Sequence, residues 1–200
     1  MDRRGLLKGM AGAAAVSAAP AIAQTNHQGM NHSMPMAAAG SMTAADVGVA
    51  PLTGTTPTDY VRMAADSDLY EMTSSKLALA RSKNPAVRQY AQEMIRDHTI
   101  TTNALKAGVK QSKSRKPATR LSSEKQALIA QLRSAGTNFD QVYAQQQAQS
   151  HQQAWALHKG FATDGADAPL HQVAASAVPI IERHVQHVRA LPGAGATAAM

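Results

Sequence analysis

The sequence predicts an all-α protein in which four long helices form a bundle behind a disordered N-terminal leader. Only 4 % of the 200 residues are aromatic, whereas alanine is abundant, and alanine has the highest intrinsic helix propensity. Apolar residues recur at helical spacing in four stretches after residue 57, and pairs such as Asn84-Pro85 and Asp164-Gly165 end them. The chain contains no cysteine, which excludes disulfides, thiolate nucleophiles and zinc ribbons.

Residues 1–23 have the features of an export signal. Arg3 and Arg4 precede an alanine-rich apolar run, which is typical of the twin-arginine route, and the small residues around Ala23 predict cleavage after that residue. An ordinary Sec signal is the alternative, with the same destination. Cleavage removes three basic residues and one acidic residue, so the formal net charge falls from +7 to +5. We therefore expect a periplasmic protein with no nucleic-acid partner and, because no later stretch has about 18 consecutive apolar residues, no transmembrane segment.

Residues 24–56 lack any hydrophobic period and predict a disordered leader. The leader contains five soft metal donors in one stretch of ten residues, namely His27, Met30, His32, Met34 and Met36. Thioether and imidazole groups at this spacing suit Cu(I), and the segment is similar to the Met/His-rich stretches of bacterial copper-handling proteins. A low-complexity spacer is the alternative interpretation.

The predicted helical domain covers residues 57–191, and residues 192–200 form a disordered tail. The four predicted helices span about 57–84, 85–108, 122–164 and 169–191. Gly136 interrupts or kinks the third helix, and Pro179 kinks the fourth. The basic linker 110–120 is long enough to cross the height of a bundle, so both a simple up-down topology and a long crossover stay open.

Facing helices of a bundle are where buried ligand sites are built, and one polar residue of each helix falls on or beside its inward stripe. These are Glu71, His98, His151 and His184. At a rise of about 1.5 Å per residue all four lie near the middle of the bundle, with His184 about one turn off. Three imidazoles and a carboxylate predict a site for a transition metal such as zinc or copper. Four isolated, hydrogen-bonded core residues are the alternative.

The acidic residues argue against a di-iron centre, which needs Glu-x-x-His on two helices and a glutamate on each of the others. No Glu-x-x-His occurs, and only Glu71, Glu93, Glu124 and Glu182 are available. The chain also lacks a Gly-x-Ser-x-Gly elbow and a glycine-rich phosphate loop. We therefore expect no catalytic activity.

Several spaced motifs resemble the domain of unknown function 4142 family of exported, ferritin-like helical proteins. They are Tyr60-Val61-x-x-Ala64-Ala65, Glu71, Lys76-Leu77-Ala78-Leu79-Ala80, Asn84-Pro85-x-Val87, Met94-Ile95-x-Asp97-His98, Phe139-Asp140-x-x-Tyr143, His151 and the run from Ile180 to His184. The resemblance implies a ferritin-like four-helix bundle and export, and it implies no established activity. Ser150 departs from the family pattern, since many members have an acid there, and this removes one group that would bind a metal or orient His151.

Two functions therefore follow from the sequence. The leading one is a periplasmic ferritin-like protein that binds a transition metal without catalysis. The alternative is a metal-free structural or interaction module of the cell envelope, in which a glutamine-rich helix surface contacts an envelope protein or a second copy of the chain. That surface comprises Gln145, Gln146, Gln147, Gln149, Gln152 and Gln153.

Overall fold

The computed structural model describes residues 41–112, 114 and 116–197. The predicted signal peptide and the Met/His cluster at 27–36 lie outside these residues. The described part contains six α-helices, namely α1 Ala44–Val47, α2 Pro57–Arg81, α3 Pro85–Ser112, α4 Ser123–Ser134, α5 Phe139–Asp164 and α6 Ala168–Arg189. No helix in this part is both long and apolar enough to span a membrane.

Local sequence sets where the long helices begin. The Thr56 side chain accepts the Asp59 backbone N–H at the start of α2, and Pro57 occupies the first turn, where its missing N–H costs nothing. The Ser122 and Asp167 side chains accept backbone N–H groups at the starts of α4 and α6. These caps satisfy donors that a helix terminus otherwise leaves free.

Helices α2 and α5 are antiparallel neighbours. The Tyr60 hydroxyl, near the start of α2, lies 3.1 Å from His158 Nδ1, late in α5. The Ser75 hydroxyl, near the end of α2, lies 2.9 Å from the Tyr143 hydroxyl, early in α5. Because residue numbers rise along one helix as they fall along the other, the two chains run in opposite directions.

Helices α3 and α6 are antiparallel by the same argument. His187 Nδ1 lies 2.9 Å from Glu93 Oε2 in the first half of α3. At the other end, a Cβ on Gly108 would come within 2.6 Å of Val173 Cγ2, so α6 packs closely against the bare glycine backbone. With the short turns α2–α3 and α5–α6, the order is up, down, down, up, the long-crossover topology of ferritin-like bundles.

Helix α4 makes the crossover between α3 and α5. Its N-cap residue Ser122 donates its backbone N–H to Asp66 in the first half of α2, and Arg81 at the end of α2 donates to the Leu132 carbonyl. The helix predicted over 122–164, interrupted or kinked at Gly136, is thus interrupted there. It does not resume in the same direction, because α5 folds back along α4 after Gly136. Gly136 has a φ of +56°, which glycine adopts without the penalty of a Cβ.

The predicted disorder of residues 24–56 does not hold for residues 41–56, which we call the N-terminal strap. Met42 and Val47 are buried against Trp155. The buried Glu182 carboxylate accepts the Met42 backbone N–H at 3.0 Å and the Trp155 indole N–H at 3.2 Å. Two isolated apolar side chains and hydrogen bonds to its backbone hold the strap against the bundle. Its sequence therefore shows no hydrophobic period.

The predicted tail also differs from the structure. Ala194–Thr197 forms a 3₁₀ turn, and Ala194 is buried beside Leu191 and Val188. The small side chains there fit close to α5, where Gly193 approaches Gln141.

Two apolar clusters lie toward opposite ends of the bundle. One contains Tyr90, Met94 and Tyr143, and the other contains Tyr60, Phe161 and Leu170. On each of the four long helices, the residue of the predicted polar layer falls between the residues of these clusters. The fold therefore places that layer in the interior.

Candidate metal centre

The predicted polar layer forms, with one residue from each bundle helix. The rings of His151 and His184 have centroids 5.1 Å apart, and the His98 ring lies 5.7 Å and 5.3 Å from them. Glu71 Oε1 lies 3.9 Å from His151 Nδ1. All four residues are at most 2 % exposed, so their polar atoms must find partners inside the protein.

Asp97 fixes the tautomer of His184. His184 Nε2 lies 3.0 Å from Asp97 Oδ2. Burial raises the pKa of this carboxyl, but hydrogen bonds from His184, Arg183 and Arg96 outweigh burial and hold it below its usual range. An ionised carboxylate only accepts, so the His184 proton is on Nε2 and the Nδ1 lone pair points inward.

The Gln147 backbone fixes the tautomer of His151 in the same way. His151 Nδ1 lies 2.8 Å from the Gln147 carbonyl oxygen, which can only accept, so the proton is on Nδ1 and Nε2 has a lone pair. His151 Nε2 is 3.2 Å from His184 Nδ1. Two lone pairs therefore face each other at hydrogen-bond distance with no proton between them.

Protonation does not relieve this arrangement at neutral pH. Burial, and then the neighbouring His184 and His98, lower the pKa of His151 well below its usual value. Burial also lowers the pKa of His184 to about 4, although Asp97 opposes that shift. Both rings are therefore neutral in the metal-free protein, and the two facing nitrogens have no proton to share.

His98 points a third nitrogen into the layer. Its Nδ1 lies 2.8 Å from Asp68 Oδ1, and Asp68 is held in turn by the hydroxyls of Thr101 and Thr102. His98 Nε2 is buried and has no hydrogen-bond partner. Burial lowers the pKa of His98, but the hydrogen bond and charge of Asp68 more than offset it and raise the pKa. A metal at this nitrogen would thus displace a proton from Nε2.

Glu71 supplies a carboxylate that the protein leaves without a partner. Neither of its oxygens, nor Gln147 Oε1 beside them, has a hydrogen-bond partner although all three are buried. Burial raises the pKa of Glu71 to about 7, and the charges of His98 and Lys125 only partly oppose the shift. Buried acceptors without donors are costly, so this side of the layer also requires a proton or a cation.

The donor set suits a divalent transition metal. One ligand atom of each of His98, His151 and His184 can be chosen so that all lie within 4.8 Å of one another. Zinc–imidazole bonds of about 2.0–2.1 Å in a tetrahedron place the nitrogens about 3.3 Å apart, close to the 3.2 Å between His151 and His184. Each imidazole also has its outer N–H held by an acceptor, as in protein metal sites.

A second group of candidate ligands fits a metal less well. Glu93, Asp97 and His184 also have ligand atoms within 4.8 Å. Arg183 donates to Glu93 Oε1 at 3.2 Å and to Asp97 Oδ2 at 2.7 Å. The Arg183 guanidinium therefore already compensates the negative charge of the two carboxylates.

Sequence reasoning missed the residues that orient the three histidines. Asp68 lies one helical turn before Glu71, and this helical spacing was the available signal for it. Asp97 directly precedes His98, and adjacent residues of a helix do not share a face, so helical spacing gave no signal that Asp97 would orient His184 on another helix. The Gln147 carbonyl carries no sequence signal. Ser150, where the family resemblance implies an acid in many members, lies 3.5 Å from Lys125 Nζ, and the Gln147 carbonyl orients His151.

The glutamine-rich surface does not form as an open face. Gln146 and Gln147 are buried and hydrogen-bond to Tyr70 and Ser74 of α2. Gln152 donates to the Val47 carbonyl of the strap. The crossover helix and the strap cover much of this side of α5, and of the six glutamines Gln149 and Gln153 are exposed.

The comparisons with known proteins add the family. No curated protein and no solved structure matches the chain. The family model described as Domain of unknown function (DUF4142) matches residues 37–191, which include the end of the leader, the strap, the whole bundle and all four residues of the layer. The chain therefore belongs to the DUF4142 family.

Proposed function

We propose that this protein binds one transition-metal ion in the middle of the bundle, through His98, His151 and His184. Glu71 becomes the fourth ligand if its side chain moves on binding, because its Oε1 lies 3.9 Å from Nδ1 of His151, and of these four residues only the three histidines have ligand atoms within 4.8 Å of one another. The observation that carries this proposal is the pair of unprotonated nitrogens, His151 Nε2 and His184 Nδ1, that face each other at 3.2 Å in a fully buried layer. A cation between them converts a repulsive contact into two coordinate bonds.

Zinc and Cu(II) fit this donor set better than Cu(I). Three neutral imidazoles suit either divalent ion, and a carboxylate beside them favours a dication over a softer monovalent ion. The predicted Cu(I) site in the leader, with its thioethers, is a separate proposal.

The buried position of the layer supports binding rather than catalysis. Its four side chains are at most 2 % exposed, so a substrate would have to pass between packed helices to reach the ion. We propose storage, delivery or sensing of a metal, in a periplasmic protein exported through the Arg3-Arg4 signal. Cell fractionation of an Arg3→Lys/Arg4→Lys variant tests the export route, since a twin-arginine substrate would remain in the cytoplasm.

The test is metal titration of the untagged chain that begins at Gln24, with the five leader donors replaced by serine. The donors are replaced rather than removed by truncation at residue 55, because a chain that begins there would lack the buried Met42 and Val47. Isothermal titration with Zn(II) and Cu(II) should give one site per chain, and replacement of His151 by alanine should abolish it.

His158→Ala is the matched control. His158 is a second buried imidazole of α5, 6 % exposed, and it contacts Tyr60 rather than the layer. It should lose stability without losing the metal. Equal metal binding by the parent chain and the His151→Ala variant would refute the proposed site. Absence of any binding would instead favour the interaction module.

A further inference from the structure

A cleft outside the histidine layer has the features of a ligand site. It has a volume of about 660 Å³ and lies between α2, α3 and the segment that follows α3. Small-molecule pockets commonly have volumes of about 300–1,000 Å³ and mostly apolar walls. Its floor is apolar and includes Leu69 and Met72 of α2 and Leu105 and Val109 of α3.

The rim of this cleft is cationic. Lys106 and Lys110 lie one turn apart on α3, and Lys116 belongs to the segment opposite. All three are exposed, and no aspartate or glutamate lines the cleft. Within the described residues, none of the three ammonium groups has a carboxylate within 4.0 Å. An anion at the rim would therefore meet no competing acidic side chain.

The two surfaces together specify an amphipathic anion. An apolar floor without a charged group takes a hydrocarbon chain, whose burial contributes about 0.8 kcal/mol per methylene. Three ammonium groups at its edge, none with a carboxylate within 4.0 Å in the described part of the chain, take a negatively charged head group. Pro117 and Ala118 also line the cleft and add apolar surface to it.

We propose that this cleft binds a free fatty acid, with the acyl chain along Leu69, Leu105 and Val109 and the carboxylate between Lys106, Lys110 and Lys116. Neither the chain nor its carboxylate contacts the histidine layer. The site is thus independent of the proposed metal centre, and the test of one does not depend on the outcome of the other.

Titration of the metal-free chain with dodecanoate, below its critical micelle concentration, tests the site by calorimetry. Dodecyltrimethylammonium and dodecyl maltoside serve as cationic and neutral probes with the same chain. We expect one dodecanoate per chain, weaker binding of the maltoside and weakest binding of the ammonium compound. The Lys106→Glu/Lys110→Glu variant should bind dodecanoate at least about tenfold more weakly, with little change for the maltoside.

Lys76→Glu/Lys83→Glu is the matched control, since both lysines are exposed on the same helical bundle but do not line the cleft. It should bind dodecanoate as the parent does. The proposal is overturned if dodecanoate does not bind, if the ammonium compound binds equally well, or if both double variants change the affinity alike. A thermal melt of each variant shows whether the protein is folded. If the charge-reversed variant is unfolded, the Lys106→Gln/Lys110→Gln variant takes its place in the titrations.

Discussion

Replacing Glu71 by glutamine should change how the stability of the metal-free protein depends on pH. Burial raises the pKa of Glu71 from 4.5 to about 7, so the native state binds more protons than the unfolded state between these values. A difference of this size between the pKa of the native and of the unfolded state corresponds to about 3 kcal/mol. The stabilisation from the protonated carboxyl is fully present below pH 4.5 and is lost as pH rises through about 7.

The assay is urea unfolding of the parent chain and the Glu71→Gln variant in the presence of a chelator, from pH 4 to pH 8. Trp155 is the single tryptophan of the chain and is buried, so its fluorescence reports unfolding. The parent should be about as stable as the variant at pH 4 and about 3 kcal/mol less stable at pH 8. Groups that do not interact with Glu71 titrate alike in both proteins and cancel in the difference, whereas the coupling between Glu71 and His98 is part of it.

Glu124→Gln is the control for this experiment, because Glu124 is exposed and should show no such trend. A difference between the parent and the Glu71→Gln variant that stays within about 0.5 kcal/mol from pH 4 to pH 8 would refute the reasoning. A difference that grows in favour of the parent would also refute it, because that result requires a lowered pKa.

Two further substitutions test the parts of the structure that the sequence did not reveal. Asp68→Asn should weaken metal binding about 10- to 100-fold, because His98 loses the carboxylate that orients it; calorimetry measures this, and an unchanged affinity would show that Asp68 has no such role. Gly160→Ala should destabilise the protein by about 1–3 kcal/mol, because the added Cβ would overlap the Leu52 carbonyl of the strap. Urea unfolding of Gly195→Ala, where an added Cβ meets nothing, is the control, and equal stability of the two variants would mean that the strap is not packed there.

Most of the bundle could be predicted from sequence because its helices depend on local signals. The stripe that contains Tyr90, Met94 and His98 has helical spacing, and Asn84-Pro85 ends one helix and begins the next. The same spacing placed Glu71, His98, His151 and His184 in one layer, since a constant rise per residue converts sequence distance into height.

The remaining features depend on contacts between distant residues. The strap is held by Glu182 on α6, about 140 residues away in the chain, and no periodic pattern records that contact. Helices α4 and α5 have similar compositions and resemble one helix in sequence, but the chain reverses between them at the turn that contains Gly136, which has a positive φ. At the site, a backbone carbonyl orients His151, and every residue type provides that group.

X-ray absorption spectroscopy of the zinc-loaded chain, with the leader donors replaced, tests the central claim most directly. We expect about three imidazole nitrogens and one oxygen at about 2.0–2.1 Å from the metal, and one imidazole fewer in any His184→Ala variant that still binds zinc. A shell of oxygen ligands alone, or an imidazole count that His184→Ala does not change, would contradict it.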